Sequence, residues 1–502
     1  MDDSTSETEI MDSDSFVARA AQQSWVKSRS LKQRCEVARN FARELSASPH
    51  VLHQAITTPQ RCDFRETVSA EVFPLADAAK WLARMGSKIL SDKKVTGPGR
   101  PLFQRGVRST VRREPLGVVL IIGTWNYPIF LVGVQILQAV VAGNAVLVKP
   151  AKGCEEVTRL MIEMLVRSGM PESLCRVLGE EPECATQAIS QGVDLIVLTG
   201  SSATGRQVLQ QASQTLTPTI MELSGCDAVV VLESANLKRV VDGLLFGLRL
   251  NGSATCMAPR RVFVPEAILE KVQNALAARL DEVPDTVVDP RTIARVKSLV
   301  SSQGYRILSE GSGDSFSIKS QDVETRLLHG RPVVFANVAS DFPLNDSDIF
   351  APVMTILGYR NLEEAISACN RCKYGLTASV FGDESLARQV ASQLNVGMVS
   401  VNDLIAPTAD PRLPFGGTRE SGFGVTRGVE GLLQMTRPKV ISVNRAGWLP
   451  HLDPPQERDA ALLEGILQWC HAGSFRKALG GLIQAIKAVS KQSKSKSVKN
   501  DS

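Results

Sequence analysis

Residues 116–148 contain no charged side chain. A run this long must either cross a bilayer or be buried in a protein core. Its internal pattern decides for the core. Leu116-Gly-Val-Val-Leu-Ile-Ile-Gly123 is short and β-branched, as expected of a strand covered on both faces. Thr124-Trp-Asn-Tyr-Pro128 reads as a turn and residues 129–141 as a buried helix. Gly143-Asn144 then closes the helix before a second strand, Ala145-Val-Leu-Val148. Basic residues flank both ends, so no orientation signal supports a membrane span. The same alternation recurs at 193–198, followed by a helix-like 206–212, and short apolar runs follow at 228–232 and 261–264. Strands and helices alternating at this spacing predict open, mostly parallel α/β sheets.

The 502 residues allow two or three domains with full cores, and 43% hydrophobic with 22% charged residues excludes disorder, collagen and coiled coil for the bulk of the chain. A net charge of +5 gives no reason to expect nucleic acid. Ten cysteines without regular spacing are no secreted disulfide framework, and the N-terminus has no apolar signal, so a cytoplasmic location is expected. Residues 1–15, with six acids and no base, read as a disordered leader. Residues 16–48 read as one or two amphipathic helices.

Four segments carry chemistry: Gly123-Thr-Trp-Asn126-Tyr-Pro128, Leu198-Thr-Gly200-Ser-Ser-Ala-Thr-Gly205, Met221-Glu222-Leu-Ser-Gly225 and Asn251-Gly-Ser-Ala-Thr-Cys256-Met-Ala-Pro259. Val148-Lys149-Pro150, Asp348-Ile-Phe-Ala-Pro352, Tyr374-Gly-Leu-Thr-Ala-Ser-Val-Phe381, Pro414-Phe-Gly-Gly417 and Ser421-Gly-Phe-Gly424 accompany them. In this order and spacing, the chain from about residue 16 to 445 resembles the aldehyde dehydrogenase superfamily. The resemblance implies an α/β fold with a Rossmann-type cofactor domain at 16–223, including an oligomerisation hairpin near 97–118. It further implies a second α/β catalytic domain at 224–424 and an oligomerisation strand region at 425–445.

The resemblance also implies NAD(P)-dependent oxidation of an aldehyde to a carboxylic acid. An aldehyde must first become a tetrahedral adduct, and a cysteine thiolate both adds and leaves well. Cys256 resembles that nucleophile, Asn126 the side-chain donor to the oxyanion, and Glu222 the base that activates water against the thioester. Glu222 favours hydrolysis over acyl transfer to coenzyme A. A scaffold on this fold would need none of the three; a cofactor-independent thiol esterase is a further alternative.

For the cofactor, the resemblance implies contacts from Thr124, Trp125 and Lys149, from the turn Gly200, Ser201 and Gly205, and from Asp348 and Phe350. The turn is not G-x-G-x-x-G, but its small residues would admit a pyrophosphate to a helix N-terminus. Relatives often read Lys-Pro-Ser-Glu where this chain has Lys149-Pro-Ala-Lys152. A lysine cannot accept from ribose hydroxyls but can pair with a 2′-phosphate, so Lys152 tilts the expectation from NAD towards NADP. Asp348 stands for the usual glutamate, Ala351 for a glycine, Ser253-Ala254 for Gly-Gln, and Ser224 with Cys226 for Gly and Lys.

Cys369-x-x-Cys372 is half a zinc site without partners at ligand spacing, and the five histidines form no set, so no metal is expected. Pro454-Pro455 opens an extra segment, 446–502. There Phe475, Ala478, Leu479, Leu482, Ile486 and Val489 share one helical face beside Arg476, Lys477 and Lys487. A basic amphipathic helix can lie on an anionic membrane or dock on the protein itself; docking is the expectation favoured here. The expected partners are a small-molecule aldehyde and a second or further copies of the chain, as a homodimer or homotetramer.

Overall fold

The computed structural model describes residues 14–497 except 57, 59–62, 102–103, 105, 301–305, 309–314, 318–319, 447–448 and 453. The acidic leader up to residue 13 and the end of the tail, 498–502, lie outside the described residues. Among those described, no helix is long and apolar enough to cross a membrane.

The uncharged run folds as strand Val118–Ile122, helix Phe130–Ala142 and strand Ala145–Lys149. Every residue of that helix is buried, which accounts for its apolarity on all faces. Gly143, at φ +102°, ends it in the left-handed region that glycine tolerates best. Val118–Ile122 lies between Ala145–Lys149 and Leu195–Gly200, parallel to both. Cys175–Val177 and Thr219–Leu223 extend the sheet on either side, again parallel. The Asp194 carboxylate accepts the Val118 N–H at 2.7 Å and pairs with Arg19 at 2.6 Å, tying the first helix to the starts of the two central strands. Trp25 Nε1 donates to the Val140 carbonyl at 3.1 Å, a second tie. That first helix, Asp14–Ser28, begins inside the span expected to be leader. Ser15 is buried and its hydroxyl donates to Gln191 O at 2.9 Å, which anchors the end.

The sixth strand, Gly422–Phe423, was expected within the second domain but pairs antiparallel with Thr219–Leu223. Gly422, at φ +96°, lets the two backbones meet: a Cβ there would lie 1.9 Å from the Met221 carbonyl oxygen.

A second sheet is eight-stranded. Its order is Ser315–Ser317, Arg306–Leu308, Val333–Ala336, Val353–Tyr359, Pro259–Pro265, Asp227–Val231, Thr377–Phe381 and Met398–Val401. The pairings from Val333–Ala336 onward are parallel, and Asp227–Val231 and Pro259–Pro265 are buried throughout. The sequence runs read as strands at 228–232 and 261–264 are the centre of this sheet.

The chain divides into two compact units, 1–93 with 111–440, and 94–110 with 441–502. In the smaller, helix Asp459–His471 packs on helix Phe475–Ser497. The contact is made by small residues: a Cβ on Gly465 would lie 2.6 Å from Ala485 N, and Ala485 and Ala488 are buried. Of the apolar face read from the sequence, Phe475, Leu479, Ile486 and Val489 are exposed. Close backbone approach, rather than large side chains, therefore joins the hairpin.

Candidate active site

The site is assembled within the larger unit. Helix Leu237–Arg249 runs into a bend where Asn251, Gly252 and Ser253 take φ of +52°, +58° and +61° in succession. Non-glycine residues held there are strained and must be fixed by their surroundings. Asn251 Nδ2 donates to Asn126 O at 2.9 Å, and Arg260 donates to Ser253 Oγ at 3.1 Å and to Ser253 O at 2.6 Å. The bend delivers Cys256 to the start of strand Pro259–Pro265. Gly225 lies directly against it: a Cβ there would come within 2.6 Å of the Cys256 carbonyl. This close approach explains why the segment after Glu222 keeps its glycine.

Asn126 sits beside the same bend. Its Oδ1 accepts from Thr124 Oγ1 at 2.7 Å and from Tyr127 N at 3.1 Å. Two donors on the oxygen fix the amide orientation, leaving Nδ2 to donate to Ala254 O at 3.0 Å, two residues before the cysteine. Tyr127 OH and Thr255 Oγ1 lie 2.6 Å apart and close the cluster.

Glu222 comes from the other sheet, on strand Thr219–Leu223, and is buried. Thr426 Oγ1 donates to its Oε2 at 3.1 Å. Burial pushes its carboxyl up from the usual range, opposed by Arg427, Thr426 and Gln135. The Cys256 thiol is likewise pushed up, first by burial and then by Glu222, Asp227 and Asp348, with Arg427 opposing. Cys256, Glu222 and Arg427 line one cavity of about 290 Å3 whose walls are otherwise mostly apolar, including Tyr127, Phe130 and Phe415.

The residues expected at a dinucleotide gather at the strand ends of the first sheet. Gly200 ends strand Leu195–Gly200, and Ser201 caps helix Ser202–Thr215 through its Oγ, which accepts from Thr204 N at 3.1 Å. Gly205 is buried, and a Cβ on it would lie 2.8 Å from the Leu223 side chain, so the helix start lies close against the strand. A helix N-terminus on a small-residue turn suits a pyrophosphate. Lys149 is half-buried at its strand end; burial lowers its ammonium against the pull of Glu180. Lys152 is exposed. Trp125 and Phe350 face each other with ring centroids 5.7 Å apart. The Asp348 carboxyl is raised by burial and held by the hydroxyl of Ser224. Ser224 and Asp348, two departures from the family pattern, thus act on each other, while Ser224 Oγ also lies 3.5 Å from Gly200 O.

The structure brings Cys256, Glu222 and Asn126 together, with Thr124 bonded to Asn126. Lys149 and the Gly200–Ser201 turn lie at the ends of the two strands that flank Val118–Ile122. Among the described residues no group of three or more His, Cys, Asp or Glu could hold a metal. The buried Cys226 thiol donates to the Leu344 and Asn345 carbonyls, at 3.7 and 3.6 Å. Sequence reading missed Gln135, Asn251, Arg260, Thr426 and Arg427. Thr426 and Arg427 follow the quoted Ser421–Gly424 motif by two and three residues, but nothing in their spacing marked them.

The model of the aldehyde dehydrogenase family matches residues 5–441. The chain is 28% identical to a 4,4′-diapolycopene aldehyde oxidase of Methylomonas, over 77% of this chain and 74% of that one. It is 31% identical to a 4,4′-diaponeurosporen-aldehyde dehydrogenase of Staphylococcus aureus, over 64% and 71% respectively. A crystal structure of betaine aldehyde dehydrogenase from S. aureus, in complex with NAD+, shares the fold with TM-score 0.77 at 22% identity, over 88% of this chain and 90% of that one.

Proposed function

The chain belongs to the aldehyde dehydrogenase family, whose members are NAD(P)-dependent oxidoreductases, and from that premise we propose that it is a hydrolytic, cytoplasmic aldehyde dehydrogenase yielding a free carboxylic acid. The observation that carries the reading is the shared cavity: Cys256, in the turn before strand Pro259–Pro265, and Glu222, on strand Thr219–Leu223, both line it.

Cys256 attacks the aldehyde carbon as thiolate, forming the C–S bond. The oxyanion is held by Asn126 Nδ2 and the Cys256 N–H. Bound NAD or NADP supplies the hydride acceptor. Thr124, Trp125, Lys149, Lys152, Gly200, Ser201, Gly205, Asp348 and Phe350 would hold that cofactor. Glu222 then takes a proton from water, the hydroxide adds to the thioester carbonyl, and the C–S bond breaks to return the thiolate. The mostly apolar walls of the cavity limit water around these charges. Following NAD(P)H absorbance over an aldehyde panel, for the natural chain and Cys256→Ala, tests the reading. Cofactor reduction abolished in the variant supports it. Turnover of esters without cofactor reduction replaces it with a thiol esterase, and no turnover of either kind with a scaffold.

Lys152 favours NADP: its exposed ammonium is available to a 2′-phosphate. A kcat/KM clearly higher with NAD overturns this. Strand Thr436–Asn444 is exposed at every position after Thr436, including Val440, Ile441 and Val443, which supports a homodimer or homotetramer through that edge. Light scattering on the full chain reads the oligomer. The apolar Phe475, Ile486 and Val489 beside Arg476, Lys477 and Lys487 suit docking on the protein's own surface, the reading favoured from the sequence, with peripheral contact with an anionic membrane as the alternative. Co-sedimentation with anionic vesicles, compared with a chain ending at Arg445, decides; equal behaviour removes the membrane contact.

A further inference from the structure

Arg427 is the least expected group in the cavity. Its side chain is buried, and its backbone takes φ +61°, ψ 175°, a conformation that costs a non-glycine residue energy. A strained backbone carrying a buried cation persists only where the surroundings enforce it. The guanidinium is clamped between two rings, 5.3 Å from the centroid of Phe130 and 4.2 Å from that of Phe415. Nη1 donates to the Thr408 carbonyl, and the backbone N–H of Arg427 donates to Gln138 Oε1 at 3.4 Å. Nε has no hydrogen-bond partner among the described residues. Two ring faces and one carbonyl do not neutralise a full charge in an apolar cavity. The acids that act on Arg427 are Glu222 and Cys256.

We propose that Arg427 is a positioning residue of the reaction, the fixed positive charge that allows Cys256 and Glu222 to carry a negative charge in turn. This rests on the hydrolytic reading above. Two anions side by side in one apolar cavity oppose each other. The proposed chemistry never needs both. Before attack the negative charge belongs on the Cys256 sulfur. Once sulfur is bonded to carbon it is neutral; Glu222 gives up its proton to solvent, and the charge matched by Arg427 belongs on Glu222, poised to deprotonate water. When the C–S bond breaks, the proton is on Glu222 and the charge returns to sulfur. One arginine serves both halves, and its clamp between Phe130 and Phe415 keeps it from following either anion.

The groups acting on Cys256 are Glu222, Asp227 and Asp348, which raise the thiol, and Arg427, which lowers it; Arg260 also senses it. On Glu222 they are Arg427, Thr426 and Gln135, all lowering. Arg427 is the cation common to both sets.

The test is the pH dependence of Cys256 alkylation by iodoacetamide in the full chain, read by peptide mass spectrometry. It needs neither aldehyde nor cofactor, so a chain that oxidised no aldehyde would still report on Arg427. In Arg427→Met the midpoint is expected to move up by about one pH unit or more, and in Arg427→Lys to stay nearer the natural value. Arg427→Gln keeps a planar group between the rings without the charge and serves if the methionine variant does not fold. A natural midpoint in either neutral variant overturns the proposal, because a merely structural arginine would change stability without moving the ionisation.

Discussion

The hydroxyl of Thr426 donates to Oε2 of Glu222 at 3.1 Å, joining residues 204 positions apart in the chain. The bond forms because Gly422–Phe423 pairs with the strand that carries Glu222, bringing the following residues over its end. A donor to the charged form favours that form, so Thr426 keeps the base from rising further in its buried setting. In Thr426→Val the Glu222 carboxyl rises, and the acidic limb of the kcat–pH profile moves to higher pH. At neutral pH kcat falls by about ten- to hundredfold, the worth of one hydrogen bond to a charged group. Steady-state rates across pH check both.

Glu222→Gln keeps shape and removes the base. Attack and oxidation do not require it, so rapid mixing with aldehyde and cofactor gives a burst of about one equivalent of reduced cofactor per site. Steady-state turnover then falls by about 10²–10⁴, the usual worth of a general base. A variant that loses the burst along with turnover shows that Glu222 acts before the thioester forms.

Asn126 has two roles that one substitution separates from simple unfolding. Asn126→Ala loses the oxyanion donor, worth about 10²–10³ in kcat, and the bond to Ala254 O that steadies the cysteine bend. Because the bonds that its Oδ1 accepts from Thr124 Oγ1 and Tyr127 N are lost as well, the thermal midpoint should fall by the worth of three hydrogen bonds at about 1 kcal/mol each. Calorimetry beside kcat distinguishes the two contributions.

Asp227 is fully buried, accepts from Thr377 N at 3.2 Å and from the Thr377 hydroxyl, and its carboxyl is pushed up to about 7. Burial is the main cause, partly offset by those bonds and by Arg261. The folded chain holds this proton more tightly than the unfolded one. Its stabilising contribution is therefore complete below the ordinary carboxylate range and is lost as pH rises through about 7. Asp227→Asn removes the titration, so its thermal midpoint should vary less between pH 5 and pH 8 than that of the natural chain. An equal slope in both places the proton elsewhere.

Much of this was legible in one dimension. Residues 116–148 could be read as strand, helix and strand because buried backbone must pair with itself, and length and β-branching tell a strand from a helix. The roles proposed for Cys256, Glu222 and Asn126 came from the resemblance of their motifs to the aldehyde dehydrogenase family, and the structure shows a local backbone need in one of those motifs, Gly225 against the Cys256 carbonyl. The C-terminal helix was placed, but its contact with helix Asp459–His471 is made by Gly465, Ala485 and Ala488, which its apolar periodicity did not mark. Periodicity finds apolar faces; it does not find close packing of backbones.

Sequence alone determined the fold class, because this depends on burial patterns and local turns, and the family resemblance it carries supplied the three residues of the proposed chemistry. Tertiary structure decided what surrounds them. The hydroxyl of Thr426 on Glu222, the hydroxyl of Ser224 on Asp348, and the charge of Arg427 on Cys256 and Glu222 all act across long stretches of chain. Electrostatics and hydrogen bonds in an apolar cavity depend on distance in space, and no spacing along the chain encodes it.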